Sequence, residues 1–115
     1  MTKQQYIEHC RSILSAEVDQ PFDEDFDTWV ARHSDNRKWF ALIFDVKGRP
    51  AVNLKCDPME ADFLRSVYEG VTPAYHMNKQ HWISVILDGS MTEEEVFRLI
   101  CDSHALTAPR IKRKK

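Results

Sequence analysis

The sequence predicts an α+β fold: an antiparallel sheet of four or five strands with helices packed on one face, in the order α-β-β-β-α-β-α. Three observations predict it. Apolar residues recur at helical spacing in three separated stretches, opened by capping residues at Thr2, Asp57 and Thr92. Between them lie runs rich in β-branched and aromatic residues, Lys38–Val46 and His81–Leu87 foremost. Short turn sequences join neighbouring runs, and a parallel pair would need a much longer crossover.

Each element follows from local chemistry. Thr2 and Gln5 form a capping box, and Tyr6, Ile7, Cys10, Ile13 and Leu14 then repeat at helical spacing, so a first helix is expected from Lys3 to Ala16. Glu17–Asp27, acidic and broken by Pro21, reads as a loop. Thr28–His33 is a short strand, and Ser34–Arg37 supplies turn residues. In Lys38–Val46 the set Phe40, Leu42, Phe44, Val46 shares one face and Trp39, Ala41, Ile43, Asp45 the other. Both sets are largely apolar, which places this strand centrally. Lys47–Pro50 closes a hairpin onto Ala51–Cys56, where Val52, Leu54 and Cys56 face one way and Asn53 and Lys55 the other. Asp57, Pro58 and Glu60 open a second helix, with Met59, Phe63, Leu64, Val67 and Tyr68 as its apolar stripe and Gly70 as its stop. Val71–Gln80 is a polar-aromatic loop, and His81–Leu87 a strand. Thr92 and Glu95 open a third helix that turns Val96, Phe97 and Ile100 inward and ends before Pro109.

Length suits one domain, read as residues 1–109 with a basic tail at 110–115. The absence of a long apolar run or an apolar leader argues against a membrane or secreted protein, so the expected compartment is the cytoplasm. Three widely spaced cysteines, Cys10, Cys56 and Cys101, read as reduced thiols. Net charge is −2 but uneven: the tail holds five of the sixteen Lys and Arg, so the remainder sets eleven bases against eighteen acids, a charge of −7. Such a body is poor material for tracking a phosphate backbone. The tail reads either as a solvated, disordered end or as a tether for nucleic acid or an acidic partner.

The densest chemistry lies in Pro73–Trp82, PAYHMNKQHW. Tyr75, His76, Asn78 and Lys79 read either as a loop that bonds its own backbone or as a contact surface. In the second reading Lys meets phosphate, Asn a base edge or sugar, and Tyr or Trp82 stacks. Asn53 and Lys55 read either as a solvated strand face or as neighbours of that loop, with Lys55, Lys79 and His76 converging on an anion. His81 shares a strand face with Ile83 and Val85, the position of a core-edge histidine, while Trp82 points to the other face. A metal site at His76, His81 and Cys56 has loose spacing, and the acids of Asp19–Asp27 are those of a solvated loop. Cys56 aligns with Val52 and Leu54, the place of an inert thiol. Three glycines build no phosphate loop, and no catalytic constellation or cofactor is expected.

At NLKCDP (Asn53–Pro58), GVTPAYHMNKQHW (Gly70–Trp82) and the later Leu-Asp-Gly the chain resembles the MmcQ/YjbR family of small bacterial proteins, over about residues 3–108. The resemblance implies a frataxin-like α+β sandwich with a double-wing shape, no enzymatic activity, and DNA binding proposed from that shape. It points to Asn53, Lys55, Tyr75, His76, Asn78, Lys79, His81 and Trp82 as the site. The acidic body departs from what DNA binding would favour, and the alternative is a small-molecule or protein-interaction module with no nucleic-acid role.

Overall fold

Hydrogen-bond register arranges the strands into one six-stranded antiparallel sheet in a computed structural model that describes residues 2–13, 15–21, 28–74 and 77–108. The elements run α1 (Lys3–Arg11), β1 (Ala16–Asp19), β2 (Trp29–His33), β3 (Trp39–Val46), β4 (Arg49–Lys55), α2 (Pro58–Val67), β5 (Val71–Pro73), β6 (Trp82–Ile86) and α3 (Glu93–Thr107). The sheet order is β1-β2-β3-β4-β6-β5. The α+β architecture is therefore as expected, with two further short strands at its two edges. The basic tail lies outside the described residues. No helix among the described residues is long and apolar enough to cross a membrane.

The edge strands correct the sequence reading. The first helix stops at Arg11 instead of Ala16, and Ser15 takes a left-handed φ of 62° that redirects the chain. Ala16–Asp19, of which Ala16 was expected to end the helix and Glu17–Asp19 to open the acidic loop, then pairs with β2, with Val18 opposite Ala31 and Glu17 opposite Arg32. Arg32 bonds the carboxylate of Asp19 and lies 3.9 Å from that of Glu17, so this end of the acidic stretch is a charge-paired strand. Val71–Pro73, expected as loop, pairs with β6; Pro73 is tolerated because β5 is an edge strand.

Residues opposite one another across antiparallel strands share a face. Trp29, Ala31, Ala41, Ile43, Val52, Leu54, Ile83, Val85 and Val71 lie on one side. They join Tyr6, Ile7 and Cys10 of α1, Ala61 and Leu64 of α2, and Val96, Leu99 and Ile100 of α3 in the main core. The helices thus cover one face. The β3–β4 turn has the backbone its residues favour: Lys47 and Gly48 both take positive φ, as a two-residue hairpin of right-handed twist requires.

One irregularity organises the centre of the sheet. Ala31 pairs with Ala41 but Arg32 pairs with Trp39, so Phe40 is an extra residue, a β-bulge in β3. The expected alternation of Phe40 with Leu42 and Phe44 fails for this reason. Phe40 turns with Ala41 toward the helices, where its ring meets His33 at 5.4 Å and His104 at 4.9 Å. Ser103 of α3 fills the gap: its buried hydroxyl accepts from the Lys55 N–H at 2.8 Å and donates to the Phe40 carbonyl at 2.5 Å. A side chain thereby bridges β3 and β4 just beyond their Ala41–Leu54 pair.

Candidate functional site

The face turned away from the helices carries Val30, Arg32, Trp39, Leu42, Phe44, Ala51, Asn53, Lys55, Trp82, Ser84 and Ile86 by the same register argument. Its middle is closed. Asn53 and Ser84 are opposite one another, both 0% exposed, and the Ser84 hydroxyl donates to the Asn53 side-chain oxygen. Asn53 is thus not a surface contact and not part of a solvated strand face; it is half of a buried polar pair. Buried amides need such partners because an orphaned one carries its full desolvation penalty. Ser84 itself looked unremarkable in the sequence, since only the adjacency of β4 and β6 reveals what it faces.

Around that closed middle the face is half-buried, at Leu42 and Phe44 as well as at the end where β4 finishes. Lys55 and Trp82 are register partners across β4–β6, both half-buried. Trp39, at the start of β3, reaches the same end of the same face, because β3 and β4 are antiparallel and Lys55 closes β4. The sequence reading missed Trp39: it pairs with Arg32 only because of the bulge. Lys55 has no ion-pair partner among the described residues, whereas Arg32 is tied to acids of β1.

The loop before β6 borders this end and is held by its own side chains. Asn78 Oδ1 accepts from the backbone N–H of Gln80 at 2.9 Å and of His81 at 3.2 Å, and the Asn78 carbonyl accepts from Trp82 N–H. Lys79 Nζ donates to the carbonyl of buried Ala74 at 2.8 Å. Asn78 and Lys79 therefore act first as fasteners of the loop that presents Trp82. His81 is exposed and lies just outside β6, so it is not a core-edge histidine; its carbonyl accepts from Cys56 N–H and extends the β4–β6 ladder by one bond. Tyr75 and His76 lie outside the described residues. The structure accordingly groups Lys55, Trp82 and Trp39, and separates from them Asn53, which is buried, and His81, which stands opposite Cys56 in the ladder.

Thiol chemistry is suppressed nearby. Burial, with Glu60 second, pushes Cys56 up to about 12, and burial, with Cys101 second, pushes Cys10 up to about 12. Cys56 Sγ also donates to Glu60 Oε1 at 3.6 Å, so Glu60 faces Cys56 where a capping box would turn it back toward Asp57. Asp57 still caps α2, accepting from Met59 and Glu60 N–H. Among the described residues no three His, Cys, Asp or Glu side chains converge as metal ligands. The expected outcome with an aromatic disulfide reagent at pH 8 is rapid release of one equivalent, from exposed Cys101, and of three only after unfolding. Because folding raises both buried thiols from 9.0, their contribution to stability is complete below about pH 9 and is lost toward pH 12. Urea midpoints across that range check the sign: a Cys10→Ser or Cys56→Ser variant should lose less stability on alkalinisation than the parent.

Comparison with known proteins agrees with this architecture. The YjbR family model matches residues 12–106. The uncharacterized protein YyaQ of Bacillus subtilis is 32% identical over 117 residues, covering 93% of this chain and 98% of that protein. The uncharacterized protein YjbR of Escherichia coli is 42% identical over 65 residues, 56% of this chain and 55% of that one. A crystal structure of a Pseudomonas syringae protein superposes with a TM-score of 0.87 at 37% identity, covering 94% of this chain and 100% of its own. A Deinococcus radiodurans protein gives 0.80 at 29% identity, over 91% and 77%.

Proposed function

This chain belongs to the YjbR family, and from that premise we propose that it is a non-enzymatic binding protein that takes single-stranded DNA at one end of the sheet face turned away from α1, α2 and α3. The observation that carries the reading is the meeting of Trp39, Lys55 and Trp82 at one end of one face. Indole faces stack on unpaired bases of any sequence, and an ammonium beside them meets the backbone. The acidic body favours this mode over duplex binding, since stacking needs fewer cations than phosphate tracking does. The alternative, a small-molecule or protein-interaction module with no nucleic-acid role, draws on the internal use of Asn78 and Lys79.

Fluorescence anisotropy with labelled oligothymidylate and a matched duplex, at several salt concentrations, tests it. Single strands should bind better than the duplex. Trp82→Ala should weaken binding by roughly fivefold to 150-fold, the value of about 1–3 kcal/mol for one stacked base. Lys55→Ala should lower the salt slope by about 0.7, one phosphate contact on a single strand. Melting curves of both variants report whether the fold survives. Binding that disappears in a chain ending at Ala108 would assign it to the tail, and no binding by either chain would favour the alternative.

A further inference from the structure

The second helix turns three of its apolar side chains outward. Met59, Phe63 and Val67 are 83%, 62% and 54% exposed, and only Ala61 and Leu64 bury themselves in the core. The three exposed residues follow one another at intervals of four, so they form a continuous stripe along the helix. Contiguous exposed apolar surface of this kind marks an interaction site more often than a lone exposed residue does.

The helix positions that flank the stripe are acidic or neutral. On the helix, Asp62 and Ser66 flank it on one side and Glu60 on the other; Asp57 stands at its start and Glu69 just past its end. Arg65, the basic residue of the helix, projects away from the stripe and is paired with Asp62 at 2.8 Å. A second copy of this chain would bring two acidic rims together, and three side chains fall well short of the ~800 Å² that each partner of a stable dimer contributes. We propose that the α2 stripe is the docking surface for a cationic amphipathic segment of another protein, one whose apolar anchors repeat at helical spacing between Lys and Arg. Its apolar face covers Met59, Phe63 and Val67, and its flanking cations meet exposed Asp62 and Glu69. This helix-in-groove mode takes its affinity from the anchors and its orientation from the charges. The proposal stands apart from the sheet-face site and uses none of its residues.

The probe is a fluorescein-labelled fourteen-residue peptide of Leu and Lys with leucines on one helical face, beside a counterpart with Glu for Lys. The full-length chain should bind the Lys peptide at micromolar concentration, more weakly as salt rises, and the Glu peptide at least tenfold more weakly. The double variant Met59→Ser, Phe63→Ser, both exposed and harmless to the core, should weaken Lys-peptide binding at least tenfold. Asp62→Asn with Glu69→Gln should weaken it severalfold while keeping the stripe. Amide shifts on titration should map to residues 57–69. Equal binding by the Met59, Phe63 variant, or shifts spread over other acidic surfaces, would overturn the proposal. Sedimentation showing a parent dimer that the same variant dissociates would give the stripe to a second copy and would also overturn it.

Discussion

Ser103→Ala should destabilise the fold by on the order of 2–5 kcal/mol, far more than the removal of one hydroxyl usually does. The Ser103 oxygen sits between two strands at the Phe40 bulge, 0% exposed, accepting from Lys55 N–H and donating to the Phe40 carbonyl. Alanine leaves both groups without that partner in a site closed to water. Each buried orphan carries a penalty of about 1–3 kcal/mol, whereas the net value of an ordinary hydrogen bond is nearer 1 kcal/mol. Ser66→Ala is the control: its hydroxyl bonds the Phe63 carbonyl on the exposed side of α2, and its loss should change stability by no more than about 0.5 kcal/mol. Urea unfolding with equal m-values for parent and variants checks the difference. A Ser103→Ala midpoint indistinguishable from that of Ser66→Ala would mean that the bulge finds another partner. Amide exchange at Lys55 should quicken in Ser103→Ala before the rest of β4 does, since that N–H loses its acceptor.

The bulge also connects stability to the site. Lys55 is the last residue of β4, and the bond from its N–H to Ser103 fixes the backbone that sets Lys55 opposite Trp82. Phe40, turned inward by the same bulge, packs with His33 and His104, and the His33 ring bonds Thr107 at 2.9 Å. The last turns of α3 thus brace the end of the sheet at which Trp39, Lys55 and Trp82 meet.

The elements that were legible in the sequence are those with both a cap and a period. Thr2, Asp57 and Thr92 each accept the expected backbone bond at the start of a helix, and the long apolar runs of β3 and β6 leave little choice but strand. The edge strands were hidden because each has two or three apolar residues and a partner distant in sequence. Ala16 and Val18 alternate with Glu17 and Asp19, a strand pattern overshadowed by the acids and by Pro21. The orientation of α2 was illegible for a different reason. Period shows that Met59, Phe63 and Val67 share a side, but the tethers at Cys56 and Val71 decide which side meets the sheet, and they select Ala61 and Leu64. Of the site, the Lys55–Trp82 pairing required strand order, since β6 reaches β4 only after the chain has passed through α2 and β5.

Strand order likewise governs the second large effect, at Asn53. Asn53→Val should cost about 1–3 kcal/mol, because the Ser84 hydroxyl then loses its acceptor at a position closed to water. Ser84→Val should cost a similar amount by taking the hydroxyl donor from the Asn53 side-chain oxygen and adding bulk. The double variant removes both polar groups, and its cost should fall below the sum of the singles by at least about 1 kcal/mol. That shortfall is the coupling between the two side chains, and a double-mutant cycle by urea denaturation measures it. Purely additive costs would mean that Asn53 is satisfied mainly by other groups. Asn53→Asp separates the buried role from a surface one more sharply. A carboxylate enclosed at this position resists ionisation, so the variant should lose stability as pH rises from 4 to 8, whereas a carboxylate at a solvated strand face would leave stability nearly level across that range. With the pair intact, Asn53 and Ser84 are closed to solvent and bonded to each other, so neither side chain is presented on the surface of that face.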